Sequence, residues 1–455
     1  MNLHIVILAA GKSTRMHSSL PKILHLLGGK PLLEHVIITA QNLRPKKIHV
    51  VYNDEKVDIR EYFSQYNVNW VKQSKRLGTG HAVMQVLPFI KQMSQVLILY
   101  GDVPLITSKT LEALTKNMPI EGVSLLSAEF SDPTGLGRII RNETGVIEAI
   151  VEHKDVTPDQ LQIKEINSGI LVTTSSVLRG YLPHLNKHNA QGEYYLTDVI
   201  AMLYADNISI NSLLANDPEE VIGVNDQRQL VQLERRYQRK LADALMARGL
   251  YIVDPARFDV RGSLTIDSDI KIDANVIVEG KVDIGSHTTI GPNNFLKNAK
   301  IGKNVVIKAN CVIEDAVIAN NCVVGPFARI RPNTCLENGA HIGNFIELKN
   351  TKIGKSSKAH HVGYLGDTTI GKKVNIGAGT ITCNYDGVVK QKTVIEDGVF
   401  VGSLSTLVAP VKLKKNAYIG AGSVITDDAP ANELTLGRAR QVTIKNWKRK
   451  NKKKR

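Results

Sequence analysis

The chain has 455 residues, of which 43% are hydrophobic and 22% charged, the composition of a folded globular protein too long for one ordinary core. No apolar run approaches the roughly 18 residues of a membrane span, and Met1 leads straight into a strand-like stretch, Leu3 to Leu8, so a cytoplasmic protein without membrane contact is expected. The net charge is +15, but Lys445, Lys448, Arg449, Lys450, Lys452, Lys453, Lys454 and Arg455 supply eight of those charges, and a like-charge run at a terminus reads as a solvated tail. The +7 left for the rest of the chain suits anionic small molecules, and no nucleic-acid partner is expected.

In the first half, continuous apolar runs alternate with helical patterns: Ile5 to Leu8, Ile48 to Val51, and Val96 to Leu99. Runs of this kind fit strands buried on both faces, hence a mainly parallel, Rossmann-like sheet covered by helices, whose ligands bind beyond the strands' carboxyl ends. The first run delivers Leu8-Ala9-Ala10-Gly11-Lys12-Ser13-Thr14-Arg15, where small residues let backbone N–H groups approach phosphate and Arg15 adds a forked cation. A Walker A loop is disfavoured, because its earlier glycine would fall on Val6. Pro21-Lys22, Gln73 and Gly78-Thr79 lie on further loops, and Tyr100-Gly101-Asp102 closes the third strand. A carboxylate so placed suits Mg2+, which takes one or two carboxylates together with phosphate oxygens, so Asp102 is the candidate metal ligand. Its alternative is an Asp that opens a turn before Pro104.

From 226 to 248, Leu230, Leu233, Tyr237, Leu241 and Leu245 recur at helical spacing, which predicts one amphipathic helix acting as a rigid linker. Beyond it, from Leu264 to Thr426, aliphatic residues return every sixth position: Ile266, Ile272, Val278, Ile284 and Ile290, and later Ile395, Val401, Leu407, Leu413, Ile419 and Ile425. Six is a multiple of the strand period and fits no helix, so the pattern predicts a parallel β-helix in which each rung buries its aliphatic on the next. Gly follows many of these residues, as a chain turning sharply after each short strand would require. The phase slips by one residue at Leu296 to Ile301, Leu348 to Ile353 and Leu365 to Ile370, and Ile376 to Ile395 is one residue too long; these are either ordinary corners or places to seek chemistry. Cys311, Cys322, Cys335 and Cys383 all lie here without CxxC spacing and read as reduced thiols.

The solenoid also carries residues with chemical use: Arg329, Arg331, Glu347, Lys349, His360, His361, Tyr364, Asn375, Asn384 and Tyr385. An imidazole can take up and release a proton near neutral pH, so among these residues His361 is the candidate general base.

Taken together, Leu8 to Gly11 through Arg15, Pro21-Lys22, Gly78-Thr79 and Tyr100 to Asp102, followed by a hexapeptide solenoid, resemble the bacterial bifunctional N-acetylglucosamine-1-phosphate uridylyltransferase and glucosamine-1-phosphate N-acetyltransferase family over essentially the whole chain. The resemblance implies an N-terminal Rossmann-like nucleotidyltransferase domain (1–225), a linker helix (226–250), a left-handed parallel β-helix (251–430) and a C-terminal arm (431–455). It implies acetyl transfer from acetyl-CoA to glucosamine-1-phosphate, then uridylyl transfer from UTP to N-acetylglucosamine-1-phosphate. The product, UDP-N-acetylglucosamine, would feed peptidoglycan, lipopolysaccharide and other cell-envelope precursors. It places Leu8, Ala9, Ala10, Gly11, Lys22, Gln73, Gly78, Thr79, Tyr100, Gly101 and Asp102 on the nucleotide, with Arg15 and Lys22 holding the pyrophosphate charge. Gly137, Glu152 and Asn167 fall to the sugar, and Asp102 with Asn225 to Mg2+. In the second half His361 matches the general base, Arg331, Lys349, Tyr364 and Asn375 the sugar phosphate, and Ala378, Asn384, Tyr385, Ser403, Ala421 and Arg438 acetyl-CoA. A homotrimer with acetyl sites between subunits is implied as well. Ser13 departs from the family's second loop glycine, which leaves its N–H available but bears on the local geometry. Two other readings stay open at this point: a pyrophosphorylase whose solenoid only assembles or regulates it, and a structural or nucleic-acid-binding solenoid using the basic tail.

Overall fold

The structure is a computed structural model that describes residues 2–12, 14–53 and 58–449; Ser13 and the last six residues of the basic tail lie outside them. The chain divides into two compact units, Met1–Tyr237 and Gln238–Arg455.

In the first unit the apolar runs become strands of a mixed sheet with the order Ser209–Leu214, Gly122–Glu129, Glu165–Thr174, Gln95–Tyr100, Leu3–Leu8, Lys47–Tyr52, Asn69–Lys72. The sheet is parallel as its unbroken aliphatic strands require, except that Glu165–Thr174 runs antiparallel to both neighbours. A hairpin, Arg138–Arg141 and Ile147–Val151, hangs from that antiparallel strand. Ile5, Val6, Ile7, Leu97, Ile98 and Leu99 are wholly buried, with helices such as Leu32–Asn42 turning Leu33, Val36, Ile37 and Ala40 into the core.

The second unit is a parallel β-helix from Tyr251 to Thr435, most strands pairing in register with one 17 or 18 residues further on, as Ile290 does with Ile307 and Ile330 with Leu348. Three aliphatic columns line its interior; one runs Ile272, Ile290, Ile307, Val324, Ile342, all fully or nearly fully buried. The corners turn through left-handed residues, mostly Asn, at Asn275, Asn293 and Asn310 in one column and Asn298 and Asp315 in another. The glycines after the aliphatics serve a different end from the one expected. A Cβ on Gly343 would lie 1.9 Å from His360 O and one on Gly377 2.5 Å from Ser403 N, so these glycines let one coil's backbone approach the next.

The phase slips resolve into two kinds. The five-residue steps are ordinary corners, with Asn298, Asn350 and Asp367 left-handed at the turn. The long step is far larger than one residue: Ile353 pairs with Ile370, but Ile370 pairs with Ile395, 25 residues on. Buried Thr382 takes the aliphatic's inward place, and the surplus leaves the coil as a small hairpin closed by a Tyr385–Lys390 bridge and by Gln391 N donating to Asn384 O at 2.8 Å. Counting aliphatics alone hid this excursion.

The linker pattern forms the helix Gln227–Ala247. Its first turn is capped reciprocally, Gln229 N donating to Asp226 Oδ1 at 2.8 Å while Gln229 Oε1 accepts from Asn225 N at 2.7 Å. Leu230, Leu233 and Tyr237 pack within the first unit, and Leu241, Ala242 and Leu245 within the second, so the division of the chain falls inside the helix.

Candidate functional site

The carboxyl ends of four neighbouring parallel strands, at Leu8, Tyr52, Lys72 and Tyr100, open onto a cleft of about 960 Å3. Leu8, Ala9, Ala10, Gly11, Lys22, Gln73, Gly78, Thr79, Tyr100 and Asp102 all line it. The register Leu8↔Tyr100 sets two loops side by side, and Gly101 N donates to Leu8 O at 2.9 Å. Gly78 must be glycine: its φ is +107°, and a Cβ would meet Tyr194 O at 2.5 Å.

At one end of the cleft, Lys22 Nζ bonds to Asp102 and also donates to Asn225 Oδ1 at 3.3 Å. A carboxylate and an amide oxygen thus converge on one cationic position, and such a pair fits a divalent cation completed by phosphate oxygens. Gly101 lies beneath Asp102 in the chain and shapes the turn without lining the cleft; Arg15 is exposed on the neighbouring turn and also lies outside the lining.

Gly137, Glu152 and Asn167 come together at the root of the Arg138–Val151 hairpin. Asn167 N donates to Gly137 O at 2.9 Å, and a Cβ on Gly137 would stand 3.4 Å from Glu152 Oε2. Burial raises the Glu152 carboxyl above its ordinary range, against a hydrogen bond from Thr197 Oγ1 at 3.2 Å. The Tyr100 phenol is also pushed up, first by burial, then by the charges of Glu152 and Asp102. Tyr100 is therefore near enough to both the hairpin group and the metal-type group to feel their charges.

Arg76 and Asn53, which line the cleft, and His81 behind Gln73 escaped the sequence reading. Arg76 donates to Ala10 O at 2.8 Å and to Asn53 Oδ1 at 2.9 Å, which fixes the phosphate-type loop to a neighbouring strand end. His81 contacts buried Gln73 through Nδ1 at 3.0 Å. Gln73 Nε2 also donates to Gly78 O at 3.1 Å, so the amide nitrogen is directed at the loop and its oxygen is the group left for a ligand N–H. Only their proximity in space marks these residues; no motif spacing does.

In the solenoid, successive coils stack the second set. Asn344 pairs in register with His361, and His361 Nδ1 lies 2.9 Å from Asn344 Oδ1. An amide oxygen can only accept, so Nδ1 carries the proton and Nε2 of this exposed ring holds the lone pair. Arg331 Nη1 donates to Glu347 Oε1 at 2.8 Å, and Glu347 pairs with Tyr364 on the next coil. Lys349 stands beside Lys390 of the hairpin, which lowers its pKa. Asp367 is held by Asn350 and by Asn384; burial alone would raise its carboxyl, but these hydrogen bonds and the two lysines outweigh it and keep it below the ordinary range. Asn384 is therefore a buried strut of the hairpin, while Tyr385 is exposed with its OH donating to Gly387 O at 2.6 Å.

Ala378, Ser403 and Ala421 form a column at one corner. Leu404 N donates to Ala378 O at 2.7 Å, Gly422 N to Ser403 O at 2.8 Å, and Arg438 Nη1 reaches Ala421 O at 2.7 Å. Asn375 lies in a different column, with Phe400 and Tyr418 on the following coils. No hydrogen bond joins it to His361 among the described residues. Asn344 and Lys390 are the members that sequence reading missed here.

Comparison with known proteins agrees with both halves. A family model for a MobA-like NTP transferase domain matches residues 5–153, one for a GMPPB C-terminal domain matches 260–354, and one for bacterial transferase hexapeptide repeats matches 392–427. A protein of Coxiella burnetii (strain Dugway 5J108-111) named "Bifunctional protein GlmU" is 56% identical over 454 residues, covering 100% of both chains. The chain belongs to the bifunctional GlmU family. Relatives of the same name from Marinobacter nauticus and Janthinobacterium sp. (strain Marseille) are 50% and 47% identical, each spanning 98% of this chain and 98% and 99% of their own. As a member, the chain is a bifunctional transferase with a nucleotidyltransferase half and a hexapeptide acyltransferase half. The scaffold-only readings of the solenoid are set aside with that membership.

Proposed function

We propose that this chain makes UDP-N-acetylglucosamine by acetylating glucosamine-1-phosphate in its solenoid and then transferring uridylyl from UTP in its first unit. The observation that carries the reading is the pairing, on one chain, of the Lys22–Asp102–Asn225 constellation with His361, whose Nε2 lone pair is left outward by Asn344. We assign functional limits of 1–225, 226–250, 251–430 and 431–455 to the uridylyltransferase, linker, acetyltransferase and arm.

In the uridylyl step, Gln73 and the Leu8 to Gly11 backbone take the base, while Gly78, Thr79 and Tyr100 shape the nucleotide's bed. Gly137, Glu152 and Asn167 take the N-acetylglucosamine-1-phosphate. Its phosphate attacks the α-phosphorus of UTP, and Lys22 and Arg15 stabilise the departing pyrophosphate, so catalysis is positional and electrostatic. Asp102 and Asn225 would hold Mg2+, which supplies charge neutralisation to phosphate oxygens when bound.

In the acetyl step, His361 Nε2 takes the ammonium proton of glucosamine-1-phosphate as the nitrogen attacks the thioester of acetyl-CoA. Arg331 and Lys349 hold the phosphate, Tyr364 and Asn375 the sugar, and Ala378, Ser403, Ala421 and Arg438, with Asn384 and Tyr385, the coenzyme.

A homotrimer is the assembly that accounts for one corner of the solenoid. There the left-handed position passes from Asn293 and Asn310 to Phe327, Phe345, Val362 and Leu404, bulky side chains in a conformation that disfavours them, and all are exposed. Phe327 and Phe345 stack at 5.1 Å. Phe345, Val362 and Leu404 directly follow Asn344, His361 and Ser403 in sequence, so an apolar contact between copies would close around the acetyl site. No described helix is long and apolar enough to cross a membrane; we assign the enzyme to the cytoplasm. The test is direct: protein supplied with glucosamine-1-phosphate, acetyl-CoA, UTP and Mg2+ yields UDP-N-acetylglucosamine, CoA and pyrophosphate, and omission of acetyl-CoA stops it.

A further inference from the structure

The Lys22 ammonium occupies the position on which Asp102 and Asn225 Oδ1 converge. Both members of the Lys22–Asp102 pair are largely buried, with side-chain exposures of 15% and 18%. A carboxylate so placed is costly without a cation, and Lys22 supplies one. A divalent cation arriving alone would have to displace that ammonium, exchanging hydration water for only one carboxylate and one amide oxygen. A triphosphate changes both sides of the balance. Its oxygens complete the metal's coordination, and they offer Lys22, which lines the same cleft as the Leu8 to Gly11 loop, another anionic partner.

We propose that Lys22 is an internal stand-in for the metal: it keeps the divalent-cation site filled until nucleotide arrives, then moves to phosphate as the cation takes its place. This rests on the assignment of Asp102 and Asn225 to the metal. Its consequence is positive coupling between nucleotide and metal, each raising the other's affinity by the same factor. Lys22 is then a gate against idle metal as well as a phosphate ligand.

The experiment follows Mn2+ binding to the full-length protein by the paramagnetic signal of free Mn2+, with no turnover involved. Wild type is expected to bind Mn2+ weakly alone and more tightly with saturating UTP, after correction for Mn2+ held by free UTP. Lys22→Met is expected to gain about tenfold in nucleotide-free Mn2+ affinity, the scale of one charge-assisted hydrogen bond. Adding Asp102→Asn removes the gain, and Lys22→Arg, which keeps the cation, stays near wild type. Lys22→Gln carries the same expectation should Lys22→Met not fold, and acetyl transfer by the other half reports the integrity of the chain. No gain in either neutral variant, with Asp102→Asn still abolishing UTP-dependent Mn2+ uptake, overturns the stand-in and leaves the metal assignment intact. UTP-dependent uptake that survives Asp102→Asn overturns the metal assignment and the stand-in together.

Discussion

His361 Nδ1 and Asn344 Oδ1 lie 2.9 Å apart on adjacent coils, and this contact decides which ring nitrogen is the base. Asn344→Ala frees the ring to rotate and to change tautomer. The loss of one hydrogen bond of ordinary strength predicts roughly a tenfold fall in acetyl-transfer kcat/KM, with uridylyl transfer unchanged. Asn344→Asp predicts something different: a carboxylate favours the imidazolium, so the acid limb of the kcat/KM profile moves to higher pH. A profile that does not move would mean that Asn344 does not face the titrating group.

Binding and proton transfer rest on separate residues in the solenoid. Arg331→Ala is expected to raise KM for glucosamine-1-phosphate with a smaller change in kcat, because an anchor held equally in ground and transition states acts on binding. Steady-state kinetics against both substrates checks this, and a kcat loss with constant KM would move Arg331 from anchor to chemistry.

How much of this was legible in the sequence depended on periodicity. Aliphatics at every sixth residue announce the coils, since only inward positions must be apolar, and Leu8 to Gly11 and Tyr100 to Asp102 follow apolar runs that can only be buried strands. The Asn384–Gln391 hairpin was not legible, because Thr382 replaces an aliphatic inside the coil and the remaining count imitates a single slip. Asn344 and His81 were missed because their partners, His361 and Gln73, are met across coils or around a loop. The glycines were found for the wrong reason: coil-on-coil approach at Gly343 and Gly377, where a turn was expected, leaves the same letters in the chain.

Independence of the two halves is a further expectation. Asp102→Ala should abolish uridylyl transfer and leave acetyl transfer nearly intact, since Asp102 and His361 belong to units with separate cores. Equal loss of both activities in a folded variant would contradict the two-site assignment.

Stability should carry the mark of a buried histidine pair. His4 Nδ1 and His49 Nε2 are 3.0 Å apart in the sheet core, and burial, the larger cause for each, lowers both pKa values, His49 to about 4. The folded state therefore binds fewer protons than the unfolded one between about pH 6.5 and about 4. Stability is full above that window and is lost as pH falls through it. Melting of the first unit should drop across this range, and His49→Leu should flatten the dependence; an unchanged slope would assign the acid sensitivity elsewhere.

The central claim, two chemistries in series on one chain, is tested most directly by His361→Ala supplied in turn with each sugar. With glucosamine-1-phosphate, acetyl-CoA, UTP and Mg2+, formation of UDP-N-acetylglucosamine should fall by about 100- to 10,000-fold, the contribution of a general base. With N-acetylglucosamine-1-phosphate in place of the first two, the same protein should make the product at the wild-type rate. Wild-type product formation from glucosamine-1-phosphate by His361→Ala would contradict the account and leave the solenoid without the acetyl step.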